Sequence, residues 1–490
     1  MWLDLQSVLV GLATGLFVYY VIYRYRYRLP PGPFALPVIG NYTVYTNPLY
    51  HREVYKLSKQ YGPVLRLQFG PKMFVFLNDL DTIMEALVKR KTDIAGRPSM
   101  KSLQIISEEK TISFGSYCHS WKMHRKVANL ALRHFLQSTM MDDTIQRTLT
   151  KFMDKMASEK QPFAVKDYLN KIQFHIIYNL CMGTNTDEEI ERFIQRIDDI
   201  NSTFGGGFIE DVYPLIGKLW PSKKFCKYVK LVEEFLAVFY KKLEDHRTEF
   251  NENDVRDLMD QLLLSNKKAE ESQDSDMILE DTRIVQTIVA IFYAGVDTTR
   301  ITMDWFVCFM SGLPDIQEKC RQEIESVLGT RRPSVRDRAS LPYIEACLYE
   351  TLRRASAFSL TIPHSTLCDT QVGGYDIPKE TIVFPNMFAL HMNPKYWENP
   401  EMFDPHRFIS NDGNLETKVD GWLPFSAGLR TCLGEALAKS EMVTMCAYLL
   451  QRFEFRLPEG VDPNFSGVSG AFSATEVPAP YKIIVKDRFA

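Results

Sequence analysis

Cys432 carries the chemistry that the rest of this 490-residue chain must position. It stands in Phe425-Ser-Ala-Gly428-Leu-Arg430-Thr-Cys432-Leu-Gly434-Glu435, a loop that runs into a helix. Pro424, Gly428 and Gly434 break regular structure before it. From residue 435 to 450 apolar positions recur at three- and four-residue steps among Ala, Leu, Lys, Glu and Met. The sulfur is therefore expected just before or in a first helical turn, where unpaired N–H groups and the positive end of the macrodipole favour a thiolate. Gly428 permits a sharp turn, and Gly434 lets a flat partner approach the backbone. Arg430 offers a fixed positive charge to an anionic group such as a carboxylate, and Phe425 can shield the sulfur from water. A lone cysteine is most often a small buried hydrophobe. One thiolate, two glycines, one arginine and one aromatic together suit a single axial thiolate ligand of haem iron.

The pattern Phe-x-x-Gly-x-Arg-x-Cys-x-Gly resembles, at every defining position, the haem-binding loop of the cytochrome P-450 family. Other motifs follow that family's order. A long helix is expected from about 279 to 312, a rod of about 45 Å. Its charge-free run, 284–296, is too short to be a membrane span. Within it, a glycine close to two threonines and an aspartate is poor helix design. It marks either a distortion kept for function or an ordinary solvated spot. Ala294-Gly295-x-Asp297-Thr298-Thr299 looks like the oxygen-activating segment of the same family. The resemblance implies that Ala294 and Gly295 leave room for dioxygen. Thr298 would donate a hydrogen bond to the reacting oxygen, and Asp297 would relay protons from solvent.

Glu350-Thr-Leu-Arg353 places two charges three residues apart on one helical face. Taken alone this is a surface ion pair worth under about 1 kcal/mol. In the family such a pair is joined by a second arginine, here Arg407 of Pro405-His406-Arg407-Phe408, with a folding role and no chemical step. His406 departs from the glutamate common at its position. Haem propionates need cations or donors. Arg97, Trp121, Arg125 and His364 match the family's propionate contacts together with Arg430, although each alone is an ordinary polar residue.

These motifs need a scaffold. Apolar residues make up 45% and charged residues 24% of the chain, an ordinary globular balance. The length suits two or three ordinary domains or one large one. A net charge of -3 gives no general affinity for nucleic acid. Nine cysteines with no C-x-x-C pair argue against a disulfide framework or a structural zinc site. Two short strands are expected at 63–70 and 72–77, around a Gly-Pro turn. Helices are expected at 81–90, 117–141, 144–155, through the 160s to 200s, at 223–249 and at 342–354. Residues 266–276 read as an exposed loop. The segment 357–363 would line the pocket, with 97–115 and the glycines after Thr203 as its roof, although consecutive glycines equally make a plain loop.

Residues 5–23 carry no charge and would span roughly 28 Å as a helix, close to a bilayer core. Arg24, Arg26 and Arg28 follow, so the positive-inside rule places the body in the cytosol. A cleaved signal peptide would have its basic residues before the apolar run. The expected organisation is a signal-anchor helix (1–28), a proline-rich hinge (29–40) and one large, mainly α haem domain with small sheets (41–490). On this topology the sequons at Asn41 and Asn201 stay bare. The chain has no G-x-G-x-x-G after a strand and no P-loop, so electrons must come from another protein. The resemblance implies an NADPH–cytochrome P-450 reductase, with cytochrome b5 as a further partner. Lys122, Arg125 and Lys126 form either a docking patch or a solvated face. The family also implies the endoplasmic reticulum membrane, with the catalytic domain facing the cytosol.

The stretches around Glu345 and Pro378 resemble aryl-hydrocarbon hydroxylases. Ala-Gly-Arg97-Pro and the C-terminal third also resemble steroid 17-hydroxylases. The implied reaction is insertion of one atom of O2 into an apolar, planar aromatic or steroid-like substrate. The alternatives are a family member that works without O2, against which Asp297 and Thr298 speak, and a non-enzymatic haem or lipid carrier or sensor.

Overall fold

The computed structural model describes residues 26–489 apart from 37, 38, 185, 206 and 471–474, and five scattered positions before residue 26. The expected anchor, residues 1–28, lies mostly outside the described residues, and the glycine run after Thr203 lies partly outside them.

Helices dominate. After α1 (Tyr50–Tyr61) come the strands β1 (Val64–Phe69) and β2 (Lys72–Leu77), paired antiparallel as the turn residues predict. Then follow α2 (Lys101–Ser107), α3 (His119–Gln137), α4 (Met140–Ala157), α5 (Val165–Met182) and α6 (Asp187–Phe204). The chain continues through α7 (Lys223–Glu249), α8 (Leu258–Glu271), α9 (Asp281–Gly312), α10 (Pro314–Val327) and α11 (Pro342–Ala355). Strands β3 (His364–Ser365) and β4 (Ile382–Pro385) complete a four-stranded sheet in the order β1-β2-β4-β3, and α12 (Glu435–Arg452) leaves the Cys432 loop.

Local chemistry sets several of these boundaries. Thr186 caps α6 by accepting from the Glu189 N–H at 3.2 Å, with Asp187, Glu188 and Glu189 in the first turn. Ser222 caps α7 and Asp257 caps α8 in the same way. Gly205, at φ 49°, ends α6.

Helix α9 is the axis of the core. Ile284, Val285, Ile288, Phe292, Trp305, Phe306 and Phe309 on it are buried, and α5, α11 and α12 pack around it. Among the described residues it is the one helix long and apolar enough to cross a membrane, but 56% of its most apolar stretch is buried inside the protein. The sheet encloses smaller clusters, one around Val64, Val75, Leu77 and Ile83 and another around Leu65, Leu67 and Phe76.

One expectation fails here. Residues 266–276 do not form an exposed loop throughout, because α8 continues to Glu271. Asn266 is buried there. Its side-chain amide donates to the Leu279 carbonyl at 2.6 Å and accepts the Leu279 N–H at 2.8 Å, so the polar run is clasped onto the start of α9. The proline-rich segment is held along β1, where the Arg66 N–H donates to the Pro31 carbonyl at 2.8 Å.

Candidate active site

The loop before α12 is closed on itself by backbone bonds and fastened to its surroundings by the Arg430 and Arg125 side chains. The Cys432 N–H donates to the Phe425 carbonyl at 2.9 Å, which closes the loop on itself. Gly428 has φ 75°, and a Cβ there would lie 1.9 Å from the Leu87 carbonyl oxygen, so only glycine fits. Gly434 meets nothing within 4 Å of its Cβ position, leaving open space at the start of α12. The Phe425 ring lies beside Lys439, whose ammonium also sits over Tyr349 and Trp422.

Cys432 is surface-accessible, although it sits on a loop set deep against α3 and α12. Two positions on α9 share this feature. Ala294 and Thr298, one turn apart, are exposed, whereas Phe292, Val296 and Thr299 beside them are buried. Exposure at these positions leaves all three residues uncovered by other side chains.

The protein alone does not favour the thiolate, contrary to the expectation from the helix start. Burial pushes the Cys432 thiol up and outweighs the lowering by the Gly434 N–H and the Arg125 charge, while Glu435 adds to the rise. A coordinated metal ion reverses that balance, because it deprotonates the thiol outright.

The sequence-predicted propionate contacts come together around Trp121. The Arg430 guanidinium lies 4.0 Å from the Trp121 ring centre and donates to the carbonyls of Ala95, Ile112 and Gly115. Arg125 lies 5.8 Å from the same ring centre and donates to the Thr431 carbonyl. Arg97 donates to the carbonyls of Ser113, Ile362 and Pro363. The His364 Nδ1–H donates to the Ile94 carbonyl at 3.0 Å. Burial lowers all four groups: Arg97 and His364 well below their ordinary range, Arg430 to about 10, and Arg125 less far. Repulsion among the cations adds to the lowering of Arg97, His364 and Arg430.

Among the described residues no carboxylate lies within ion-pair distance of Arg97, Arg125 or Arg430. Three clustered guanidiniums without a protein anion fit a dianionic ligand such as haem with its two propionates. Arg125 turns inward to this cluster. Of the three residues expected as a docking patch, only Lys122 and Lys126 are exposed.

Two details on α9 depart from expectation. A Cβ on Gly295 would point at Ile177 of α5, 3.1 Å from its Cδ1, so Gly295 admits a neighbouring helix, and Ala294 is the small residue on the open face. Asp297 is paired with Arg300 at 3.1 Å. Thr298 donates its hydroxyl proton to the Ala294 carbonyl at 2.7 Å, leaving its oxygen lone pairs free to accept.

Glu350 and Arg353 are fully buried and joined by two bonds of 2.7 Å. Arg353 also donates to the carbonyls of His391, Pro400 and Met402, and the Asp404 N–H donates to Glu350. The Arg407 Nε lies 3.5 Å from Glu350, and its terminal nitrogen donates to the Glu398 and Asn399 carbonyls. His406 is exposed, so the position does not need a glutamate. Sequence reasoning missed Gln173 of α5 and Glu441 of α12, which meet at Gly295. The available signal was a carboxylate at helical spacing from Leu437 and Met445, which share its buried face.

Comparison with known proteins gives one answer. The cytochrome P450 family model matches residues 30–484. Cytochrome P450 1A1 of Chelon auratus is 31% identical over 477 residues, covering 92% of this chain and 91% of that protein. Steroid 17-alpha-hydroxylase/17,20 lyase of Ictalurus punctatus is 32% identical over 472 residues, covering 94% and 91%. A solved zebra fish cytochrome P450 with progesterone superposes with a TM-score of 0.79 at 30% identity, covering 89% of this chain and 99% of that one. With this fold and these matches along nearly its whole length, the chain belongs to the cytochrome P450 family and is a haem-thiolate monooxygenase.

Proposed function

We propose that this monooxygenase hydroxylates a flat, apolar substrate of the aromatic or steroid class. Cys432 would ligate the haem iron, and Arg97, Trp121, Arg125, His364 and Arg430 would seat the propionates. The observation that carries the haem seat is that Arg125 and Arg430 lie over Trp121 beside the Cys432 loop, with Arg97 near enough to feel both charges and no carboxylate paired to any of the three among the described residues. Likeness to a steroid 17-alpha-hydroxylase/17,20 lyase and to a solved cytochrome P450 with progesterone supports the steroid-like part of this class.

Bound haem supplies the activation of dioxygen and the transfer of one atom to the substrate. Everything else falls to the chain. The Phe425 carbonyl holds the loop closed by accepting the Cys432 N–H, and its ring would shield the sulfur of the loaded protein. Ala294 leaves space on the opposite face. The Thr298 hydroxyl, already oriented by the Ala294 carbonyl, can accept a proton on Oγ1 and pass one on. Asp297, part-exposed beside Arg300, would take up a proton from solvent and hand it on to this position. Glu350, Arg353 and Arg407 hold the loops under α11 and take no chemical step.

Electrons come from NADPH through a membrane-bound flavoprotein reductase, with cytochrome b5 as a further donor, on the cytosolic face of the endoplasmic reticulum. Exposed apolar residues support the membrane setting. Phe34, Leu215 and Trp220 are 81%, 77% and 75% exposed. The segments that bear them meet at the turn between β1 and β2, where Gly40 bridges Phe69 and Tyr213 lies against Gly70. Asn41 and Asn201 are buried with their side chains engaged by Phe34, Gln68 and Tyr293, which agrees with sequons that stay bare.

The test is turnover with purified reductase and NADPH across a panel of steroids and planar aromatics, preceded by binding spectra. Reductase-dependent hydroxylation of one class supports the proposal. Binding without hydroxylation by any member of either class contradicts it.

A further inference from the structure

Glu441 is a carboxyl for which the haem loop has no use. It lies on α12, nine residues after Cys432, and is 1% exposed. Among the described residues it has no cationic partner. Its Oε1 accepts a hydrogen bond from Gln173 Nε2 at 3.0 Å. The same nitrogen donates to the Gly295 carbonyl at 3.1 Å. A carbonyl oxygen only accepts, so the nitrogen of the Gln173 amide must face it, and the orientation of the side chain is fixed. Gln173 Oε1 is left buried without a partner.

One turn further along α5, Ile177 lies against the Cα of Gly295. Two successive turns of α5 therefore grip one residue of α9, through its carbonyl and through its missing side chain. A helix carbonyl has two lone pairs, so Gly295 can serve both its own ladder and Gln173. A second donor draws such a carbonyl outward and bends the helix locally. The preceding carbonyl, that of Ala294, has its own second donor in the Thr298 hydroxyl. Two adjacent carbonyls of α9 are thus held by side chains on either side of the turn that bears Thr298.

We propose that Gln173, held in place by Glu441, is a positioning residue that fixes this turn of α9 and so sets where Thr298 stands. The inference rests on the role proposed above for Thr298. Proton delivery depends on placement within a fraction of an ångström, and a link from α5 and α12 ties that placement to the helix that follows Cys432. Burial also pushes the Glu441 carboxyl up to about 8, so an amide can replace it with no change of charge near neutral pH.

The test uses the haem-loaded protein with its reductase. Gln173→Met removes the donor and keeps the bulk. It should leave the carbon monoxide band intact while product formed per NADPH falls about fivefold, the factor that one lost hydrogen bond gives, with peroxide released instead. Hydrogen exchange of the amides in residues 295–299 should rise in the same variant. Glu441→Gln keeps an acceptor for Gln173 and should match the parent in both readouts. Wild-type coupling and exchange in Gln173→Met would overturn the proposal, as would loss of the band in either variant, which would mark a purely structural role. Failure of the haem reading is separately visible, because the parent itself would then lack the band.

Discussion

The Thr298 hydroxyl donates to the Ala294 carbonyl one turn earlier, at 2.7 Å, on the open face of a largely buried helix. The bond fixes which way the oxygen lone pairs point. It also means that the hydroxyl must exchange its proton to act.

Removing that group separates oxygen activation from product formation. Thr298→Ala is expected to retain haem and reducible iron while product per NADPH falls at least about tenfold and peroxide rises, a modest loss for a positioned proton donor. Thr298→Ser should recover most of the coupling. Measuring NADPH, product and peroxide together checks this, and unchanged coupling in Thr298→Ala would remove the role.

The arginine cluster predicts opposite effects on the two forms of the protein. Arg125→Gln takes away one of three mutually repelling cations, so the haem-free protein should be no less stable than the parent. The loaded protein should release haem about tenfold faster, as expected for one lost charged hydrogen bond. Transfer of haem to an acceptor protein measures the rate.

Glu350 and Arg353 form a fully buried pair, so removing one partner strands a charge or an acid in the core. Arg353→Leu is expected to destabilise the fold by about 3–5 kcal/mol and to yield mostly haem-free protein. Arg353→Lys should be nearly as damaging, because it loses the paired donors and the bonds to His391, Pro400 and Met402. Denaturant unfolding and haem content of the purified variants provide the readout.

The raised Glu441 carboxyl gives stability a pH dependence. Its ordinary value is 4.5 and in the fold it stands at about 8, owing to burial. Between these values the folded protein holds a proton that the unfolded chain has lost. Stability is therefore greatest below the lower value and is lost as pH rises through the upper one. The titratable neighbour facing it is the Cys181 thiol of α5, itself pushed up by burial. Glu441→Gln should flatten the fall in melting temperature between about pH 5 and pH 8. An unchanged slope would assign the dependence elsewhere.

Much of the site was legible because its chemistry is local. Ten consecutive positions hold Phe425, Gly428, Arg430, Cys432 and Gly434, and five of α9 hold Ala294 to Thr298. What escaped depends on packing between distant segments. Nothing in the order of residues says that positions 173, 295 and 441 meet, or that Gly295 faces α5 while Ala294 faces the open side. The thiolate preference of Cys432 was read from a helix start, which is a local effect, and burial outweighs it. Residues 266–276 looked like a loop because their polarity is visible in the sequence, whereas the clasp between Asn266 and Leu279 is not.

Sulfur ligation by Cys432 underlies the whole proposed chemistry, and the reduced, carbon monoxide-bound spectrum reports on it directly. The parent protein should show the Soret band characteristic of the cytochrome P450 family, and Cys432→Ala should lose it even when haem is supplied. A parent protein without that band, or a Cys432→Ala variant that keeps it, would contradict the account.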